Sequence, residues 1–438
     1  MRRHLLTFTF LTLGVLAIAQ GVQGEQGEKS ETGLQGHRSE AAVRAIMEDN
    51  TRAANNHNSY EFFPLSDTPA PKGYKPFYIS HYGRHGSRSA WGGDPYEYVI
   101  GILEQGQAAG LLTPGGDSLL IAARKVLASY DGMDGRLTPR GAREHAAIAK
   151  RMYSRYPQVF KGAKKVRAVS SYVPRCIVSM NSFTNSLISI NPKLSISLDT
   201  GEKFMAYLSP EDKSTRDITK QAYKNGLKTL DNIPDDTLGV LTILFTDPVA
   251  ATSFVKRPGK LTDAIFHTAD IAENFDIEEN IFRFLPFDAI YRRWARKNIS
   301  LYTGQCNSAD AGLERCAIAK PTVDDIVAKA DEAISGGEFA ADLRFGHDYP
   351  LLALASYLGL EGVGERLAAE EICDKWLGFW EVPMASNLQI IFYRNKKGDV
   401  LVKFLYQEKE RLLRGLEPVT GPYYRWEDVK SNLEGYKR

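Results

Sequence analysis

The chain has 438 residues, 43% of them hydrophobic and 25% charged, with a formal net charge of +2. These are the proportions of an ordinary globular protein with ample material for a core, and length alone allows two or three domain-sized units. So small a net charge excludes a nucleic-acid binder that relies on bulk positive charge.

The chain opens on Arg2, Arg3 and His4, followed by an apolar stretch from Leu5 to Ala19 that closes with Ala17-Ile18-Ala19. A basic start, a short apolar run and small residues around a cleavage point predict a signal peptide over residues 1–19, cut before Gln20. The protein is then exported, to the periplasm or beyond. The run is shorter than the ~20 residues of a spanning helix, so a retained anchor is the alternative and no membrane association is expected after cleavage. Residues 20–38 are Gly, Gln, Glu and Ser with almost no apolar side chain and predict a disordered tether. Ser39 then caps a predicted helix with Ala42, Val43, Ile46 and Met47 on one face, and residues 64–76 read as loop.

Phe77, Tyr78 and Ile79, behind Pro76, predict a buried strand that glycines 83 and 86 release into a loop carrying Arg84, His85 and Arg88. Helices are predicted from the cap-plus-proline pair Asp94-Pro95 to Gly110, from about 117 to 130, and from Thr138-Pro139 through Tyr156 to a stop at Pro157. Val166 to Ser170 reads as a second strand, 173–188 as a helix, and LSISL from Leu194 to Leu198 as a half-exposed strand. This alternation predicts a parallel sheet with ligands beyond the carboxyl ends of its strands. From Asp199 to Gly337 helical patterns and aromatic clusters replace the alternation and predict a mainly helical insertion. Within it Thr322 and Asp325 resemble a capping box on a helix ending at Gly336-Gly337. The alternation returns with a strand from Leu343 to Gly346, His347-Asp348 at its carboxyl end and a helix from Pro350. Leu388–Tyr393 and Val400–Leu405 flank Asn395–Gly398 as a hairpin. The expected fold is α/β, a mostly parallel central sheet flanked by helices, with a core from 39–198 and 338–438 and a helical cap from 199–337.

Two guanidiniums bracketing one imidazole suit a site that surrounds a phosphate and leaves a nitrogen free to attack it. His85 is the candidate nucleophile, forming a phosphohistidine. Arg84 and Arg88 neutralise the phosphoryl oxygens, and Asp348 gives the leaving alcohol its proton, with activity on the acidic side of neutrality. His81 and His85 lie in strand and loop, where a spacing of four does not converge on an ion, so no metal and no cofactor is expected. His145 reads as a helix-face residue without a chemical role. The basic run Arg292, Arg293, Arg296 and Lys297 reads as a solvated helix face or as a wall toward a polyanionic substrate. Cys306 and Cys316, close together in a polar segment, are the expected local disulfide, while Cys176 and Cys373 read as buried small hydrophobes.

The motifs together resemble the histidine acid phosphatase family, the branch of the histidine phosphatase superfamily that includes phytases and multiple inositol polyphosphate phosphatases. That family carries R-H-G-x-R-x-P near the mature start and H-D far downstream. Here they stand as Arg84-His85-Gly86-Ser87-Arg88-Ser89-Ala90 and His347-Asp348. Arg175, behind the second core strand, matches the family's third phosphate-binding arginine, and Leu137-Thr138-Pro139-x-Gly141 and Ala385-Ser386-Asn387-Leu388 resemble further family segments. The resemblance implies a phosphoglycerate mutase-like core with a helical cap that shapes the pocket. It also implies His85 as nucleophile, Asp348 as proton donor, and Arg84, Arg88, Arg175 and His347 around the phosphate of a small phosphorylated substrate, inositol polyphosphates included. Two departures stand out: Ala90 replaces the pattern's proline, and His347-Asp348 replaces the His-Ala-Glu typical of inositol polyphosphate phosphatases. A phosphoglycerate mutase-like phosphotransferase and a catalytically idle phosphate-binding protein are the competing readings, and oligomeric state is left open.

Overall fold

The computed structural model describes residues 38–62 and 67–435. The predicted signal peptide, and the tether up to residue 37, lie outside the described residues. Eight strands form one sheet: β1 (Lys75–Arg84), β2 (Lys165–Ser170), β3 (Ser195–Thr200), β4 (Phe339–Gly346), β5 (Asn387–Arg394), β6 (Val400–Tyr406), β7 (Lys409–Arg411) and β8 (Tyr424–Arg425). The order is β3-β2-β4-β1-β5-β6-β7, with β8 on β6. The first four pair in parallel and the pairs from β1·β5 onward are antiparallel. The expected mostly parallel sheet therefore carries an antiparallel wing built from the predicted hairpin.

Helices cover both faces, because the central strands are buried on both sides and each face must be closed by apolar surface. On one side Ile79, Leu343 and Phe345 pack with Ile148 and Met152 of helix Pro139–Arg155 and Met180 and Phe183 of helix Pro174–Ile190. On the other, Tyr78 and Tyr82 join a larger cluster with helix Asp348–Tyr357 and with helices Pro258–Ala272 and Phe287–Gln305, which the chain inserts between β3 and β4. No helix among the described residues is long and apolar enough to cross a membrane.

Several local expectations are corrected. Gly83 does not end β1; the strand runs on to Arg84, and a Cβ at Gly83 would lie 2.7 Å from the His81 ring. β4 begins at Phe339 rather than Leu343. Its apolar pattern is masked by Asp342, which pairs with Arg167 at 2.6 Å, and by Arg344, which pairs with Asp325 at 2.6 Å. Gly93, not Asp94, caps helix Asp94–Ala108, and helix Pro114–Tyr130 starts earlier than expected because Thr113 accepts from the Gly116 N–H. Pro157 does not simply stop a helix; it opens the short helix Pro157–Phe160. Thr322 is no cap: it lies inside helix Lys320–Ile334, and its hydroxyl donates to the Tyr207 carbonyl. Met47 is exposed, the buried face of helix Glu40–Glu48 being Ala42, Ala45 and Ile46. Cys306 and Cys316 are buried free thiols rather than a disulfide, as are Cys176 and the partly buried Cys373.

His145 is not a surface residue but is buried beneath β1, where it and His81 pack on Phe183 and Phe345. Burial, with the neighbouring His145 adding to it for His81, lowers both imidazoles to about 3. An unfolded histidine titrates near ~6.5. Protons therefore favour the unfolded chain. The stability these groups contribute is complete above the unfolded value and is lost as pH falls toward 3. The urea midpoint is expected to be clearly lower at pH 4.5 than at pH 7, with a shallower slope in His145→Gln; equal midpoints would contradict this.

Candidate active site

β1 and β4 end in register, Arg84 beside Gly346, and β2 ends alongside them with Ser170 beside Phe345. His85, His347 and Ser171 thus leave three neighbouring strands at the same level, beyond the carboxyl edge where such sheets bind ligands. The loop after β1 is fixed at every residue. The His85 N–H donates to the Gly346 carbonyl at 3.0 Å, and the His85 carbonyl accepts from the Ala385 N–H at 3.0 Å. Ala385 sits at φ 55°, turning the 385–388 segment under the loop, while the Ser386 carbonyl accepts from the Arg84 N–H. Ser87 donates its N–H and hydroxyl to the half-buried Glu144 carboxylate, each at 2.7 Å. Thr138 donates to the Ser87 carbonyl through both N–H and hydroxyl. Where the family pattern has proline beyond Arg88, the chain is held by hydrogen bonds instead: Ser89 to the Met133 carbonyl, and the Gly135 N–H to the Ala90 carbonyl.

This clamp leaves no room between the loop and helix Pro139–Arg155. A Cβ on Gly86 would lie 2.5 Å from the Gly141 carbonyl oxygen, and one on Gly141 would strike the Ser87 backbone. Gly141→Ala must displace one of two rigid backbones, and overpacking of this kind costs about 1–3 kcal/mol. A lowered urea midpoint together with reduced activity is expected; an unchanged midpoint would contradict the packing argument.

The structure brings all six sequence-predicted site residues together. His85 is 3% exposed, and its Nδ1 lies 2.9 Å from the Gly86 carbonyl, a group that only accepts. Nδ1 therefore carries the proton and Nε2 keeps its lone pair. Burial, then Arg84, Arg175 and Arg88, hold the imidazole well below its ordinary range, so it stays neutral in acid. Arg84 donates to the Asn56 and Val382 carbonyls at 2.5 and 2.8 Å and pairs with Asp348 at 3.0 Å. Burial pushes the Asp348 carboxyl up, but Arg84, a hydrogen bond from Asn56 and the nearby His347 outweigh it and leave it ionised. Arg175 stands in the first turn of its helix, 3.4 Å from His347 Nδ1. A guanidinium only donates, so His347 accepts at Nδ1 and donates from Nε2 to Ser171 at 3.1 Å. Burial and Arg175 lower His347 to about 4. Arg88 and Arg175 both lie over the Trp91 ring, at 5.6 and 5.1 Å from its centroid. Among the described residues, no group of three or more His, Cys, Asp or Glu side chains is placed to hold a metal ion.

A family model described as histidine phosphatase superfamily (branch 2) matches residues 83–407, well over half of the chain. The chain belongs to that family. Its enzyme class, a histidine acid phosphatase, follows. Multiple inositol polyphosphate phosphatase 1 of Gallus gallus is 29% identical over 109 residues, which span 22% of this chain and only 24% of that protein. Among solved structures, the Bifidobacterium longum multiple inositol polyphosphate phosphatase, in complex with inositol hexasulfate, superposes with a TM-score of 0.71 at 18% identity. That match covers 87% of this chain and 97% of the other. The D. castellii phytase follows with a TM-score of 0.65 at 12% identity, covering 88% and 85%. At such identities these structures establish the fold.

Three further residues at this histidine phosphatase site, Asn56, His57 and Asp270, were not singled out in the sequence, and a fourth, Lys297, was read only as part of the basic run. Asn56 and His57 come from the 3-10 turn Asn50–His57, and Asp270 and Lys297 from helices Pro258–Ala272 and Phe287–Gln305. Asn56 donates to Asp348 at 2.9 Å, and His57 accepts from Arg88 at 3.2 Å. For Asn56 and His57 the available signal was the polar run Asn55-Asn56-His57-Asn58, in a stretch between the first predicted helix and the loop of residues 64–76. The basic run beginning at Arg292 divides. Arg292 is tied to the Leu230 carbonyl, whereas Arg293, itself paired with Asp235, lines with Arg296 and Lys297 a cavity of about 480 Å³ that reaches Asn56 and His57.

Proposed function

We propose that the protein is an exported phosphomonoesterase that works through a phosphohistidine on His85, with inositol polyphosphates among its substrates. The observation that carries this reading is the His85 ring, held neutral with Nε2 unprotonated amid the guanidiniums of Arg84, Arg88 and Arg175. In the first step Nε2 bonds to phosphorus as the P–O bond to the alcohol breaks, and the leaving oxygen takes its electron pair and a proton from Asp348. In the second, water attacks phosphorus, its proton passes to Asp348, and the N–P bond breaks with its pair returning to Nε2. The arginines and His347 spread the charge of the phosphoryl oxygens, the larger part of the acceleration in such reactions.

Asp348 is ionised beside Arg84 and must be loaded before it can act as an acid. A phosphate monoester loses its second proton near pH ~6, so below that the substrate monoanion brings the proton in. Activity is accordingly highest in mild acid. Helices from 199 to 337 serve as the cap over the site, and the leader over residues 1–19 sends the chain out of the cytosol. The cavity with Arg296, Lys297, Asn56 and His57 supports a leaving group that carries further negative charge, as does the likeness to a phosphatase that holds inositol hexasulfate.

The test is phosphate release from phytate and from simple sugar phosphates, side by side, across pH 3 to 8. Preference for phytate with an optimum below pH 6 is expected. Broad turnover of small esters with little on phytate would refute the inositol polyphosphate reading, and transfer to an acceptor without net release would favour a phosphotransferase.

A further inference from the structure

Arg88 differs from its neighbour Arg84 in how it is held. Arg84 has a carboxylate of its own in Asp348. Among the described residues the guanidinium of Arg88 has none: it donates to the Ser89 carbonyl at 2.7 Å and, through its other terminal nitrogen, to His57 Nε2 at 3.2 Å. Because an arginine only donates, Nε2 of His57 must be the unprotonated nitrogen, and Nδ1 must carry the hydrogen. That Nδ1 faces Asp270 Oδ2 at 3.2 Å.

Asp270 is 5% exposed, and the same Oδ2 accepts from Lys297 Nζ at 3.3 Å. Lys297 in turn donates to the Ala54 carbonyl at 3.0 Å, one turn from His57. One helical turn beyond Asp270, the buried Asn274 donates to the Arg88 carbonyl at 3.2 Å. Helix Pro258–Ala272 and the turn that follows it therefore hold Arg88 at both ends, the backbone directly and the guanidinium through one imidazole. A buried ionised carboxylate facing a ring N–H fixes that ring's tautomer, as a carboxylate does for a catalytic histidine.

Deepening the phosphatase reading and resting on it, we infer that His57 and Asp270 are positioning residues for the phosphate: Asp270 fixes the tautomer of His57, and His57 aims the Arg88 guanidinium at the phosphoryl oxygens. Without the acceptor at His57 Nε2, the guanidinium keeps the Trp91 ring beneath it but loses its side-chain hydrogen-bond acceptor. Without the Asp270 charge, the ring can turn an N–H toward Arg88, donor against donor. His267 Nδ1, 3.8 Å from Asp270 and on an exposed side chain, is too distant to replace His57.

The experiment measures binding of inorganic phosphate by calorimetry alongside kcat and KM, in His57→Ala, His57→Gln, Asp270→Asn and the His57→Ala/Asp270→Asn double variant. A lost hydrogen bond to a charged group weakens binding by roughly 10- to 100-fold. That loss is expected in His57→Ala for phosphate affinity and kcat/KM alike. His57→Gln, which can present an oxygen to Arg88 and an N–H to Asp270, should restore affinity to within about threefold of the parent. Asp270→Asn should weaken phosphate binding on its own, yet add less than about twofold in the His57→Ala background, because it acts through His57. Should His57→Ala fail to fold, Asp270→Asn carries the same test, since it removes a charge and no volume. Unchanged phosphate affinity in folded His57→Ala, no rescue by glutamine, or additive losses in the double variant would overturn the assignment. A parent protein that binds phosphate but turns over no ester would instead refute the phosphatase reading and leave the binding series to be judged by itself.

Discussion

His85→Ala is expected to lower kcat by roughly 10⁴- to 10⁶-fold, the scale on which removal of a covalent nucleophile is felt. Neither His347 nor Asp348 can take its place. His347 has its Nδ1 engaged by Arg175 and its Nε2 by Ser171. Asp348 is a carboxylate bound to Arg84 and Asn56. The loss should fall on kcat far more than on affinity for inorganic phosphate, which the guanidiniums of Arg84, Arg88 and Arg175 supply. The backbone of His85 is held by Gly346 and Ala385 whatever its side chain, so the fold should survive. Turnover within tenfold of the parent enzyme would mean that water, not the imidazole, attacks phosphorus.

The second large effect is at Asp348. Asp348→Asn keeps the side chain's shape and the acceptor for the Tyr349 N–H, but removes the carboxylate paired with Arg84. General acid catalysis typically supplies about 10²- to 10⁴-fold. That range is the loss expected on sugar phosphates and inositol phosphates, whose alcohols leave poorly without a proton. On p-nitrophenyl phosphate, whose leaving group departs as a stable anion, the loss should be smaller by at least about tenfold. Removing the negative charge also leaves the Arg84 guanidinium without its counter-ion, so phosphate binding should tighten rather than weaken. Equal losses on both ester classes would point to another acid.

Residues that act within one short segment were legible in the sequence; residues assembled across the fold were not. Arg84, His85 and Arg88 lie together in one loop, and His347-Asp348 follows a strand, so local spacing and strand context were enough to single them out. The parallel sheet was visible in the alternation of Val166–Ser170, LSISL and the helices between them. The start of β4 was hidden because Asp342 and Arg344 are satisfied by Arg167 and Asp325, partners no local pattern reveals. The same is true of His57, whose partners Arg88 and Asp270 lie 31 and 213 residues further along the chain. Cys306 and Cys316 illustrate the opposite error. Proximity in sequence suggested a bond, but both thiols are buried in the helical cluster, where each behaves as a small apolar group. Lys297 belonged to a run with the look of a solvated face, yet it is drawn inward by Asp270 and the Ala54 carbonyl.

The most direct test of the account is to quench the enzyme with denaturant milliseconds after mixing with excess substrate at mild acid pH, and to map the added phosphate by mass spectrometry. A phosphoryl group that survives alkali, is lost in acid, and sits on the peptide containing His85 is the predicted result, absent in His85→Ala. Rapid turnover with no covalent phosphate on that peptide, or with phosphate on His347, would contradict it.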